Sequence, residues 1–131
     1  MEIILDTTFL IDLEREINKS SNKRPASDFL EKNLNATYQI TIVTVGEFAE
    51  GLHDSDYDKF REYLMPFQIL PIDQEVAWIY GHIAKNLRSR GNLIGTNDLW
   101  IAAIAIRNKK TLATRNIKDF KRITELEVVV Y

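Results

Sequence analysis

The feature that most constrains the fold is an alternation of short apolar, often β-branched segments with longer segments of helical periodicity. The pattern predicts five strands, over residues 2–5, 38–43, 67–72, 111–114 and 127–130. Strands that alternate with helices pair in parallel, because each helix carries the chain back across the sheet. We therefore expect an α/β fold with a parallel sheet of four to five short strands flanked by helices.

The helical segments lie between these strands. Apolar residues three or four positions apart predict helices that begin at Thr7 and Pro25, and helices over residues 44–52, 57–65, 74–90, 99–106 and 118–122. Ile17, Leu34 and Ala77 are among the positions predicted to face the core, and residues 18–24 are predicted to form a polar turn. Neither a repeat nor a linker divides the sequence, so we expect one domain over residues 1–131.

Three carboxylates, Asp6, Glu47 and Asp98, stand at the boundaries of apolar segments. In an open parallel sheet, ligands bind beyond the carboxyl ends of the strands, where loops and helix starts converge. Magnesium and manganese prefer oxygen ligands, and in proteins they usually share them with phosphate groups. The three acids therefore predict a divalent metal site that works on a phosphate.

Each of these acids also has an ordinary structural interpretation. Asp6 can cap the first helix, the segment from Thr44 to Glu47 matches a capping box, and Asp98 can stabilise a helix dipole. Glu50, one turn after Glu47, is a rival for any acidic function. His53 and His82 lack the spacing of a metal site, so ordinary structural roles are expected for them.

Composition narrows the function further. The sequence contains no cysteine and no apolar run long enough to span a membrane, so we expect a cytoplasmic protein that is neither exported nor membrane-bound. The net charge is −2, yet residues 85–122 carry ten basic and only two acidic side chains. The ten are Lys85, Arg88, Arg90, Arg107, Lys109, Lys110, Arg115, Lys118, Lys121 and Arg122. They form either a surface for a phosphate backbone or a set of solvated helix faces.

Four segments of this sequence resemble the PIN-domain nucleases. They are IILDTTFLID (residues 3–12), TVGE (44–47), IGTNDLWIAA (94–103) and LATRNIKDF (112–120). From the first to the last they span essentially the whole chain. More narrowly, the sequence is similar to VapC-type toxins of prokaryotic toxin–antitoxin pairs. The resemblance implies a three-layer α/β/α fold. It also implies a Mg²⁺- or Mn²⁺-dependent endoribonuclease with an antitoxin partner and a homodimeric state.

The resemblance also implies a set of site residues. Asp6, Glu47 and Asp98 would bind the metal, with Thr7 and Thr114 in support. Many members of the family carry a fourth acid at the position of Asn116 in this sequence, and Asp119 is the candidate replacement. The fourth acidic position is therefore open between Asn116 and Asp119.

Two other functions fit parts of the pattern. A phosphohydrolase of the haloacid dehalogenase type would need a second Asp two residues after Asp6, where this sequence has Thr8. A non-catalytic RNA- or protein-binding module with a PIN-like fold would explain Asn116 in place of an acid.

Overall fold

The central sheet of the computed structural model, which describes residues 1–18 and 22–131, has five parallel strands. They are β1 (Glu2–Leu5), β2 (Thr37–Thr41), β3 (Gln68–Leu70), β4 (Thr111–Thr114) and β5 (Val128–Val130). The predicted α/β class with a parallel sheet is confirmed. The strands β1 and β4 have the predicted bounds, whereas β2, β3 and β5 end or begin one to two residues from them.

The strand order places two strands that are distant in sequence side by side. From one edge to the other the order is β3-β2-β1-β4-β5, so β1 pairs with both β2 and β4. The chain builds the sheet outward from β1 to β3 and then crosses back to add β4 and β5 on the other side. The direction of winding reverses between β1 and β4, which is where open α/β sheets bind ligands.

Helices cover both faces of the sheet. They are α1 (Thr7–Asn18), α2 (Pro25–Lys32), α3 (Ile42–Glu50), α4 (Tyr57–Leu64), α5 (Gln74–Ser89), α6 (Thr96–Asn108) and α7 (Ile117–Phe120). Side chains of β1 alternate between the faces: Ile3 and Leu5 pack with residues of α1 to α4, and Ile4 packs with residues of α5 and α6. This alternation confirms the three-layer α/β/α arrangement.

The start of α3 differs from the prediction. The helix begins at Ile42, not at residue 44, because the Thr41 hydroxyl accepts the backbone N–H of Thr44 at 3.2 Å and caps the helix from that position. Thr44 is thus inside the helix. The capping box predicted between Thr44 and Glu47 is wrong, and both side chains are free for other contacts.

Three of the positions predicted to face the core are exposed. Leu34 follows the end of α2 at Lys32 and is 83% exposed, so the helical periodicity no longer applies to it. Ile17 lies in the last turn of α1 and is 67% exposed. Ala77 is exposed because α5 packs through Val76 and Ile83. Within the predicted turn 18–24, residues 19–21 lie outside the described residues.

None of the helices in the described ranges is long and apolar enough to cross a membrane.

Candidate metal and active site

Four acidic side chains converge at the carboxyl edge of the sheet, beside the point where the winding reverses. Asp6 follows β1, Glu47 lies in α3, Asp98 lies in the first turn of α6, and Asp119 lies in α7 after β4. The negative charges of Glu47, Asp6 and Asp119 all act on the carboxyl group of Asp98. Residues separated by up to 113 positions in the sequence are thus brought into one acidic cluster.

Asp6 is the most deeply buried of the four acids, with 5% of the residue exposed. Its Oδ1 accepts the backbone N–H of Phe9 at 2.9 Å, so it caps α1 as well as belonging to the cluster. Burial raises the pKa of Asp6, and the nearby charge of Asp12 also raises it, while the Thr114 hydroxyl bond, the Phe9 bond and the charge of Arg115 lower it. Its carboxylate is therefore held by two hydrogen-bond donors and stabilised by the nearby positive charge of Arg115.

Glu47 is held by a hydroxyl from a neighbouring helix. The Oγ1 atom of Thr7 donates to Oε1 of Glu47 at 2.6 Å, and Thr7 directly follows Asp6 in the chain. The contact fixes the position of one acid relative to the next. Thr7, which the sequence offered as a supporting residue, thus contacts the acidic cluster directly.

Asp98 shows most clearly that the four acids are close together. The pKa of Asp98 is raised to about 6, first by burial and then by the negative charges of Glu47, Asp6 and Asp119, in that order. Its place in the first turn of α6 favours a negative charge, because the amino-terminal end of a helix dipole is positive. Burial and acidic neighbours outweigh that favourable interaction, so the cluster is poised to accept a cation.

Asn116 and Asp119, the two candidates for the fourth acidic position, are hydrogen-bonded to each other. The side-chain amide of Asn116 donates to Oδ2 of Asp119 at 3.1 Å, and the Arg122 guanidinium lies 3.7 Å from Oδ1 of the same carboxylate. Asn116 thus orients the acid three residues later in the chain. The backbone N–H of Asn116 also donates to the Thr114 hydroxyl at 2.9 Å, which links this corner to Asp6.

A second charged group, which sequence reasoning missed, lies beside the cluster. Asp12 is 9% exposed, and its Oδ2 accepts the Tyr131 hydroxyl at 2.8 Å and lies 3.3 Å from Nε of Arg115. Arg115 also sits over the Tyr131 ring, 6.0 Å from its centre. The available signal was Asp12 itself, an acid three residues after Phe9 on the buried face of a helix.

The ten basic side chains of residues 85–122 do not form one surface. Lys110 pairs with Glu2 at the end of the sheet where β1 and β4 begin, opposite the acidic cluster. Arg107 pairs with Glu75 at 3.0 Å. Arg115 and Arg122, by contrast, pair with acids at the edge that carries the cluster. Of the two alternatives, separate helix faces describe Arg107 and Lys110, and only the part of the basic stretch around β4 and α7 borders the site.

The remaining sequence candidates stay outside the cluster. Glu50 is exposed at the end of α3, and it is not among the acids that act on Asp98. His53 is exposed next to a short turn, and the ring of His82 contacts the carbonyl of Trp78 in its own helix. The ordinary structural interpretation holds for both histidines.

The donor atoms of the cluster fit a hard divalent cation. All four side chains offer carboxylate oxygens, and the pKa of Asp98 is raised by burial first and then by its three acidic neighbours. Among the described residues, no three acidic or histidine side chains are already arranged as a ligand set for one ion. Magnesium usually takes only one or two carboxylates together with water and substrate phosphate, so this arrangement fits magnesium or manganese.

Comparisons with known proteins agree with the fold. The PIN domain family model matches residues 3–126. The chain is 37% identical to a ribonuclease VapC of Rickettsia bellii, over 98% of this chain and 96% of that protein. It also resembles a chain of the VapBC2 crystal structure from Rickettsia felis, solved with a DNA fragment from their promoter, at a TM-score of 0.80 and 28% identity, covering 100% of this chain and 99% of that one. A further likeness is to FitAcB from Neisseria gonorrhoeae, at a TM-score of 0.76 and 27% identity, covering 96% and 95%. The chain therefore belongs to the PIN-domain family.

Proposed function

We propose that this chain is a Mg²⁺- or Mn²⁺-dependent endoribonuclease and the toxin of a VapBC-type toxin–antitoxin pair. The ribonuclease names of its relatives and its membership of the PIN-domain family support the reaction class. The observation that carries the proposal is the convergence of Glu47, Asp6 and Asp119 on Asp98 at the reversal point of the sheet. An acidic cluster at that place fits phosphodiester hydrolysis.

Each acid has a distinct part in the proposal. Asp6 and Asp98 would hold the ion, directly or through water, and Glu47 would complete the shell or orient the attacking water. When bound, a divalent ion lowers the pKa of a bound water and neutralises charge that develops on the phosphodiester. Hydrogen bonds from the Thr114 hydroxyl and the Phe9 amide orient the Asp6 carboxylate, and the side-chain amide of Asn116 orients that of Asp119.

Arg115 is the proposed contact to the RNA backbone. Its guanidinium is about half-exposed, its charge reaches Asp6, and it is restrained by the Asp12 carboxylate and the Tyr131 ring. A guanidinium held in this way has lost part of its rotational freedom before RNA arrives, so less entropy is lost on binding. It thereby contributes positive charge beside an otherwise acidic site, where a phosphate would otherwise be repelled.

The partners follow from the same comparisons. The structures of VapBC and FitAcB complexes that this chain resembles support a protein antitoxin as its partner. We also propose a homodimer. Sedimentation velocity of the isolated protein tests the homodimer, and a monomer at micromolar concentration would contradict it.

The alternative functions receive less support. A dehalogenase-like phosphohydrolase needs a second Asp two residues after Asp6, and this chain has Thr8 at that position. The case for a non-catalytic module rested on Asn116 standing in place of an acid. Asn116 donates a hydrogen bond to Asp119, so an acid is still available beside it. Both observations favour the nuclease.

The test is RNA cleavage by the purified protein. Total RNA is incubated with the wild type and with Asp6→Asn, in Mn²⁺ and in EDTA, and circular dichroism checks that the variant is folded. We expect cleavage only by the wild type in Mn²⁺. Asn keeps the shape of Asp6 but removes the charge that holds the ion. Full activity of a folded Asp6→Asn variant would overturn the proposed mechanism. RNA binding by the wild type without cleavage in Mn²⁺ would favour the non-catalytic module.

A further inference from the structure

A row of three threonine hydroxyls leads from the start of α3 to the Glu47 carboxylate. Oγ1 of Thr41 is 3.4 Å from Oγ1 of Thr44, which is 3.0 Å from Oγ1 of Thr7, which is 2.6 Å from Oε1 of Glu47. Thr41 and Thr44 are fully buried. The row therefore connects α3 to α1, and water reaches only its Thr7 end.

The direction of these hydrogen bonds is fixed by the number of hydrogens. A hydroxyl has one hydrogen to donate, and Thr7 donates its hydrogen to the carboxylate, which can only accept. Thr7 must then accept from Thr44, and Thr44 must accept from Thr41. The Thr41 oxygen in turn accepts the backbone N–H of Thr44. Every hydroxyl in the row thus points toward Glu47, and such chains polarise their members cooperatively.

Thr44 lies in the first turn of α3. Its hydroxyl reaches across to Thr7 on another helix and back to Thr41 at the cap. Because Thr7 directly follows Asp6, the row also sets where Glu47 stands relative to Asp6.

We propose that Thr44, supported by Thr41, is a positioning residue that fixes the Glu47 carboxylate for metal binding through Thr7. The proposal rests on the proposed function, since it assigns Glu47 to the metal site of the nuclease. Groups that orient metal-site residues typically change metal affinity or activity by about 10- to 100-fold when they are removed. Loss of the Thr44 hydroxyl should therefore act on catalysis and metal binding, and leave RNA binding unchanged.

The experiment compares Thr44→Val with Thr44→Ser. Valine keeps the shape of threonine without the hydroxyl, and serine keeps the hydroxyl without the methyl group. Thr111→Val is the matched control, because the Thr111 hydroxyl also bonds to a glutamate, Glu127 at 3.2 Å, but does so at the opposite edge of the sheet. Each variant is measured for Mn²⁺ affinity by electron paramagnetic resonance and for kcat and KM on RNA.

We expect Thr44→Val to weaken Mn²⁺ binding and lower kcat by about tenfold each at unchanged KM. Thr44→Ser and Thr111→Val should stay close to the wild type. Equal Mn²⁺ affinity and kcat in Thr44→Val and Thr44→Ser would overturn the proposal. Thr7→Val, which breaks the row at its partly exposed end, gives the same comparison if Thr44→Val does not fold. If the wild type does not cleave RNA, the proposed function fails, while the Mn²⁺ affinities still test the positioning role.

Discussion

Replacing Asp98 with Asn should stabilise the metal-free protein while abolishing its activity. In the folded protein Asp98 is surrounded by Glu47, Asp6 and Asp119, and its pKa is raised from 3.8 to about 6. The folded state thus binds the Asp98 proton more tightly than the unfolded state does. This group therefore makes the protein less stable as the pH rises from about 4 to about 6. Asn carries no charge, so the variant does not lose this stability as the pH rises.

The magnitude follows from the pKa of Asp98. One pKa unit corresponds to about 1.4 kcal/mol, so a fully buried carboxyl with this pKa would cost about 3 kcal/mol at pH 7.5. Asp98 is partly exposed, and solvent screening reduces the cost to about 1.5 kcal/mol. The lost interaction with the α6 dipole offsets about 0.5 kcal/mol of the gain. Asp98→Asn should therefore raise the free energy of unfolding by about 1 kcal/mol.

The assay is urea denaturation in EDTA at pH 7.5 and pH 5. Asp58→Asn is the matched control, because Asp58 also lies in the first turn of a helix, α4, but is exposed and away from the cluster. We expect the control to be slightly less stable than the wild type and Asp98→Asn to be more stable at pH 7.5, with a smaller gain at pH 5. An Asp98→Asn variant that is as destabilised as the control at pH 7.5 would refute the claim that burial and acidic neighbours destabilise the ionised Asp98 carboxylate.

Two further predictions concern the core and the substrate. Phe9 is fully buried against Phe29 and Tyr131, so Phe9→Ala should lower the free energy of unfolding in urea by about 3–5 kcal/mol; a loss below 1 kcal/mol would contradict this packing. Arg115→Gln should raise the KM for RNA and reduce the slope of binding against salt by about one, as expected for a lost phosphate contact. An unchanged salt slope would exclude Arg115 from the RNA contact.

The fold could be predicted because its signals are local. The apolar run Ile3-Ile4-Leu5 predicts β1 from three consecutive residues. The periodic apolar residues of α5 predict that helix from a single continuous segment. The helix ends were harder, since the choice between Thr41 and Thr44 as the cap of α3 depends on a single hydroxyl contact. Leu34 was misplaced because its helix ends two residues earlier.

The site was only partly predictable. Order and neighbours pointed to Asp6, Glu47 and Asp98, but the contacts that orient them join residues up to 108 positions apart, as between Asp6 and Thr114. The Thr44 to Thr7 bond has no signature in sequence, because either threonine alone has many alternative partners. The group of Asp12, Arg115 and Tyr131 was missed for the same reason, since Tyr131 reaches Asp12 across 119 positions.

The most direct test of the acidic cluster as a metal site is Mn²⁺ binding at pH 7.5, followed by electron paramagnetic resonance. Wild type, Asp6→Asn and Asp98→Asn are compared with Glu50→Gln, which removes an exposed acid from the same helix as Glu47. The wild type and Glu50→Gln should bind Mn²⁺ with equal affinity, while Asp6→Asn and Asp98→Asn bind at least about tenfold more weakly. Equal affinity in all four proteins would contradict the assignment of these acids to a metal site.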